Sequence, residues 1–109
     1  MTTRKTIYEK HGIFFITFTC TNWLNLFSIT DSYDLVYKLF DNLISKNHQI
    51  VGYVIMPNHL HAIIALNNSS QSLNTVISNG KRFIAYEIVA RLEKQGNAMI
   101  LDEPGSDSF

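Results

Sequence analysis

Two apolar runs, residues 50–56 and His59–Leu66, are separated only by Pro57-Asn58, and this constrains the fold more than any other stretch. Proline cannot donate to a sheet ladder and asparagine suits a turn, so the pair marks a tight reversal. Runs this close must pair with each other as an antiparallel hairpin. Side chains alternate along a strand, so His59 and His61 point to one face, roughly 7 Å apart along the backbone, and Leu60 and Ala62 to the other. Two imidazoles on one face are a candidate chelate for a divalent ion, with a third group and water completing the shell. Taken alone, the same spacing also suits two ordinary core or surface histidines.

The rest of the chain supplies partners for the hairpin. Residues 13–21 alternate Phe14, Ile16, Phe18 and Cys20 on one face with Ile13, Phe15, Thr17 and Thr19 on the other. Aromatic and β-branched residues favour a strand. With both faces apolar, the pattern predicts a central strand whose phenylalanines pack in the core, an exposed base-stacking Phe being the minor reading. Residues 22–30 read as a loop containing Trp23 and Phe27. Asp31 reads as an N-cap with Asp34 in the first turn. Leu35, Val36, Leu39, Phe40, Leu43 and Ile44 then recur at helical spacing. This helix is expected to end near Lys46-Asn47-His48, with His48 a solvated residue favouring the C-terminal dipole. Ser72 caps a second helical pattern carrying Leu73, Val76, Ile77, Ile84 and Ile88. Asn79-Gly80 invites a kink or break in it, and Gly96-Asn97 reads as its stop.

The order strand, helix, strand, strand, helix is most of the split β-α-β unit of ferredoxin-like domains, an α+β class. Only residues 98–101 offer a fourth strand, and they are few; residues 102–109 read as a frayed polar tail. One domain accounts for 109 residues. Lys plus Arg and Asp plus Glu both number 9, so net charge decides nothing about nucleic acid and only its distribution can. The single Cys20 excludes an internal disulfide and fits a reducing cytoplasm. No apolar stretch approaches the ~20 residues of a membrane span.

The words around the histidines are specific. Val54-Ile55-Met56-Pro57-Asn58-His59-Leu60-His61 resembles the signature of the single-tyrosine HUH transposases, which include the REP-associated tyrosine transposases. Phe14-Phe15-Ile16-Thr17 is similar to the family's opening strand. The resemblance covers about residues 4 to 95, the front part of the family's domain. It implies an antiparallel sheet with helices on one face and His59 and His61 on the open face. It also implies Mg²⁺ or Mn²⁺ on those histidines, and a DNA strand transferase in which a tyrosine attacks a phosphodiester. The third ligand, commonly Gln, Asn, Asp or Glu, has no assignable position. Tyr86 is the only tyrosine after the histidines and so the candidate nucleophile, although its helix face points away from the apolar stripe. The family's downstream Tyr-Ile-x-x-Asn-Pro segment has no counterpart, which suggests C-terminal truncation. The implied partners are single-stranded or hairpin DNA and a second copy in a homodimer, with Arg4, Lys5, Lys81, Arg82 and Arg91 as candidate phosphate contacts. Two other readings remain: a catalytically dead DNA-binding module, and a ferredoxin-like interaction domain with structural histidines.

Overall fold

The computed structural model describes residues 9–97. The expected fourth strand, the tail, Arg4 and Lys5 lie outside them. Three strands, β1 (Gly12–Thr19), β2 (Gln49–Met56) and β3 (His59–Leu66), form one antiparallel sheet in the order β1-β3-β2. Between β1 and β2 come a tight turn (Thr21–Trp23), a one-turn helix α1 (Leu26–Ile29) and α2 (Tyr33–Ser45); α3 (Leu73–Lys94) follows β3. This is an α+β fold with the split β-α-β connection the sequence predicts. Within the described sheet β3 is central and β1 lies at an edge, so the reading of β1 as a central strand does not hold there.

The burial alternation of β3 explains its place. Leu60, Ala62, Ile64 and Leu66 are buried, whereas the residues between them are half-buried or exposed. Ile16, Phe18 and Cys20 of the β1 side join them, and α2 and α3 cover that face. Helix α2 contributes Leu35, Val36, Leu39, Phe40 and Leu43. Helix α3 contributes Leu73, Ile77, Gly80, Ile84, Ile88 and Leu92, a stripe three to four residues apart that does not break. The expected interruption at Asn79-Gly80 is absent because Gly80 is the contact point. A Cβ there would lie 3.0 Å from Leu39 Cδ1 and 3.2 Å from Cδ2. The glycine lowers helix propensity but lets α3 approach α2 closely.

Helix ends depart from the sequence reading in two ways. The N-cap position of α2 is the buried Ser32, and Asp31 takes a left-handed φ of 48°. Asp34 is in the first turn, where Arg91 of α3 grips both its carboxylate oxygens at 2.9 Å and also donates to Asp31 O at 2.9 Å. That fork holds the Asp34 carboxyl below its ordinary range, chiefly by hydrogen bonding. At the other end Asn47 adopts φ 68°, with Asn47 N donating to Ile44 O and His48 N to Leu43 O. This paired closure folds the chain back under the helix end. His48 is therefore buried rather than solvated, and its Nδ1 accepts from Asn67 N at 3.0 Å. The same closure ends α3, with Gly96 at φ 69°.

Strand β2 carries a bulge. Ile50 pairs with Ile64 but Gly52 with Ile63, leaving Val51 without a partner. The extra residue reverses the facing of everything after it. Tyr53 and Ile55 turn to the helix side, and Val54 and Met56 to the open side.

Two outcomes test this packing. Because Leu39 and Gly80 border a groove of about 310 Å³, Leu39 has room to yield. Gly80→Ala should stay within about 1 kcal/mol of the parent, as helix propensity offsets crowding, whereas Gly80→Leu should cost about 1–3 kcal/mol in urea unfolding. Burial of His48, and secondarily Lys46, lowers its pKa from the ordinary 6.5. The unfolded state then binds the proton more readily, so stability complete above 6.5 falls as pH drops below it. Unfolding midpoints at about pH 7.5 and pH 5 should differ less in His48→Gln than in the parent.

Candidate functional site

The hairpin turn delivers the two histidines to the face the helices leave open. Thr19, His59 and Met56 form one row across the sheet, and Thr17, His61 and Val54 the next. The imidazole centroids of His59 and His61 are 4.8 Å apart with ring planes at 74°. Each ring is held at Nδ1. His59 Nδ1 is 2.7 Å from Asn58 Oδ1, and His61 Nδ1 is 3.0 Å from Thr17 Oγ1. An amide oxygen only accepts, so His59 carries its proton on Nδ1 and keeps the Nε2 lone pair free. Thr17 Oγ1, a hydroxyl able to accept or donate, occupies Nδ1 of His61. Phe15 stacks on His61, with centroids 5.4 Å apart and planes at 25°.

The other two histidines of the described chain are used differently. His11 Nδ1 accepts from Asn68 N, and His48 Nδ1 accepts from Asn67 N. Both fasten the turn after β3 and neither offers Nδ1–H to an acceptor. His59 on the open face is thus set apart by its hydrogen bond as well as its position.

The donor chemistry at the pair fits a divalent ion: two imidazoles, each oriented from behind by an oxygen. Among the described residues no group of three or more His, Cys, Asp and Glu side chains converges. Cys20 is excluded, since it is buried on the helix side and burial raises its thiol to about 11.

Several residues singled out in the sequence lie elsewhere. Tyr86 is 69% exposed on α3, in the helix layer, with the sheet between it and the histidine face. The other described tyrosines also belong to that side. Tyr33 stands beside Phe27, and Tyr53 hydrogen-bonds Tyr37, an interaction that raises the Tyr37 phenol above its ordinary range. Lys81 and Arg82 are on α3, not with the histidines, and Arg91 is committed to Asp34 and Asp31. The three strands contain no Lys, Arg, Asp or Glu, so the open face is formally uncharged apart from its histidines. Phe15 is 66% exposed, which reverses the core reading. Its signal was legible: it shares the odd-numbered set with Thr17 and Thr19.

No protein-family model matches the chain, and no curated protein matches it in sequence. Among solved structures it is similar to that of a REP-associated tyrosine transposase bound to a REP hairpin, with a TM-score of 0.61 and 20% identity. The match covers 80% of this chain and 53% of the other, so the chain spans about half the length of that protein. The likeness is one of fold. No helix among the described residues is long and apolar enough to cross a membrane.

The hydrogen bond to Asn58 fixes a tautomer that is directly measurable. Nitrogen-15 spectra above the imidazole titration range should show His59 as the Nδ1–H form. Asn58→Ala should shift it toward the Nε2–H form, as in free imidazole.

Proposed function

We propose that this domain binds single-stranded or hairpin DNA on its open sheet face, with a divalent ion held by His59 and His61. The observation that carries the reading is the orientation of the two imidazoles, side by side with both Nδ1 atoms occupied and both Nε2 atoms turned to no protein acceptor or donor. The similarity in fold to a transposase bound to a DNA hairpin supports it, as does the resemblance of Met56-Pro57-Asn58-His59-Leu60-His61 to the HUH signature.

A bound ion there would polarise a phosphate and neutralise its charge. His59 and His61 supply neutral nitrogen ligands, Asn58 and Thr17 hold their ring planes, and Phe15 shields one side of His61. Because the three strands carry no basic side chains, the ion would provide most of the face's attraction for the backbone. Mn²⁺, which takes imidazole more readily than Mg²⁺ does, is the better probe.

Strand cleavage by the described residues is not part of the proposal. Tyr86 would have to come from a second copy in a homodimer, because its own chain keeps it on the far side of the sheet. The domain alone therefore serves as a DNA-binding module. A second reading is favoured by the exposed Ile13, Phe15, Val54, Met56 and Ile63 on the same face: an apolar docking surface for another protein.

The test compares a labelled hairpin with a single-stranded flank against blunt duplex, by anisotropy, at two salt concentrations with and without Mn²⁺. The flanked hairpin should bind more tightly and Mn²⁺ should strengthen it. His59→Ala/His61→Ala should lose calorimetric Mn²⁺ binding while retaining the parent circular dichroism. No Tyr86-dependent covalent adduct should form on a denaturing gel. Equal affinity for duplex, or Mn²⁺ binding that survives the double substitution, would overturn the reading; absence of both metal and DNA binding would favour the protein-docking alternative.

A further inference from the structure

We propose that Trp23 is a stacking platform for an unpaired DNA base next to the histidine pair, an inference that rests on the DNA-binding reading above. Trp23 is the chain's one tryptophan and is 68% exposed. A large indole left in water on a loop costs hydrophobic stabilisation, so its position calls for a reason.

The backbone sharpens the question. Asn22 has φ 55° and Trp23 has φ 57°, two consecutive left-handed residues with side chains. Such conformations are unfavourable outside glycine and persist only where the surroundings impose them. Here the surroundings are the hairpin turn itself. Within the turn, Trp23 N donates to Cys20 O and Leu24 N to Thr21 O, both at 3.1 Å. Cys20 N donates to Asn58 O at 2.9 Å and Phe27 N to Pro57 O at 3.0 Å, so the segment is fastened to Pro57-Asn58 on both flanks. Asn58 then joins the two features. Its Nδ2 donates to Trp23 O at 3.4 Å while its Oδ1 accepts from His59 Nδ1 at 2.7 Å. One amide thus holds the backbone beneath the tryptophan and the ring of the first histidine.

The result is a rigid, neutral, exposed aromatic surface at the end of the sheet where His59 stands. A phosphate at the histidines carries its base on the neighbouring sugar, and an indole accepts any base through its π-face without reading its edges. The uncharged strands offer no competing salt contact, so aromatic stacking is the interaction this end of the sheet is built to make. Phe15 over His61 is a second, smaller aromatic surface on the same face.

Because Trp23 is the sole tryptophan, its own fluorescence reports the contact. The full chain is titrated with hairpin DNA carrying a single-stranded flank, following tryptophan emission and, in parallel, anisotropy of a label on the DNA. Binding should quench the emission, and an abasic nucleotide at one flank position should abolish the quench. Trp23→Ala should weaken anisotropy-detected binding about tenfold, within the range that base–aromatic stacking supports. Trp23→Phe should recover part of it, and thermal melts should verify that both variants fold. DNA binding without a quench, or with Trp23→Ala at parental affinity, overturns the stacking role and leaves the DNA-binding reading standing. An anisotropy that never rises removes both. A quench that grows with protein concentration and needs no DNA assigns Trp23 to contact between copies and overturns the proposal.

Discussion

The facing of β3 is the constraint on which everything else depends. Leu60, Ala62, Ile64 and Leu66 must enter the core, and the two-residue period then obliges His59 and His61 to leave it. A slip of one residue would bury two imidazoles and expose four aliphatic side chains. The hydrophobic effect, which is non-directional, is thereby converted into a directional statement about where two imidazoles sit. The neighbours on both sides enforce it, since β1 and β2 each pair with β3 along its length.

Polar contacts then refine what burial has placed. Threonine and asparagine are unremarkable components of a strand and a turn, yet Thr17 and Asn58 each present an oxygen to an imidazole at hydrogen-bond distance. Asn58 does more than one thing, because the same turn residue receives the loop after β1 through its main-chain carbonyl. The site is consequently organised by a segment of two residues, Pro57 and Asn58, whose first requirement was only to reverse the chain.

Much of this was legible from the sequence, and the parts that were not share a cause. The hairpin, both long helices and the histidine facing follow from local periodicity, which is a property of neighbours in the chain. The burial of His48, the exposure of Phe15 and the role of Gly80 depend on contacts between distant residues. His48 turns inward because Asn47 adopts a left-handed cap and Asn67 offers a donor. Phe15 stays outside because no layer covers the open face among the described residues. Gly80 is tolerated because Leu39 of another helix occupies the space its side chain would need. The bulge at Val51 had no pattern to announce it, since Ile50, Val51, Val54 and Ile55 are all apolar and suit either face.

That bulge has a bearing on how the hairpin tolerates change in length. Residues between Val51 and the turn are indexed to the histidines by the two-residue reversal at Pro57-Asn58. Residues before Val51 keep their own pairing with β3, Gln49 opposite Ala65 and Ile50 opposite Ile64. Val51 is the extra residue between these two stretches, so losing it would bring Ile50 and Gly52 into continuous register and leave Gln49, Ile50, Val54 and Met56 on the faces they hold. A one-residue change in length at the bulge is taken up there before it reaches the site. The strand thus behaves as a coupling with slack at one end and none at the other, and the end without slack is the one that carries His59 and His61.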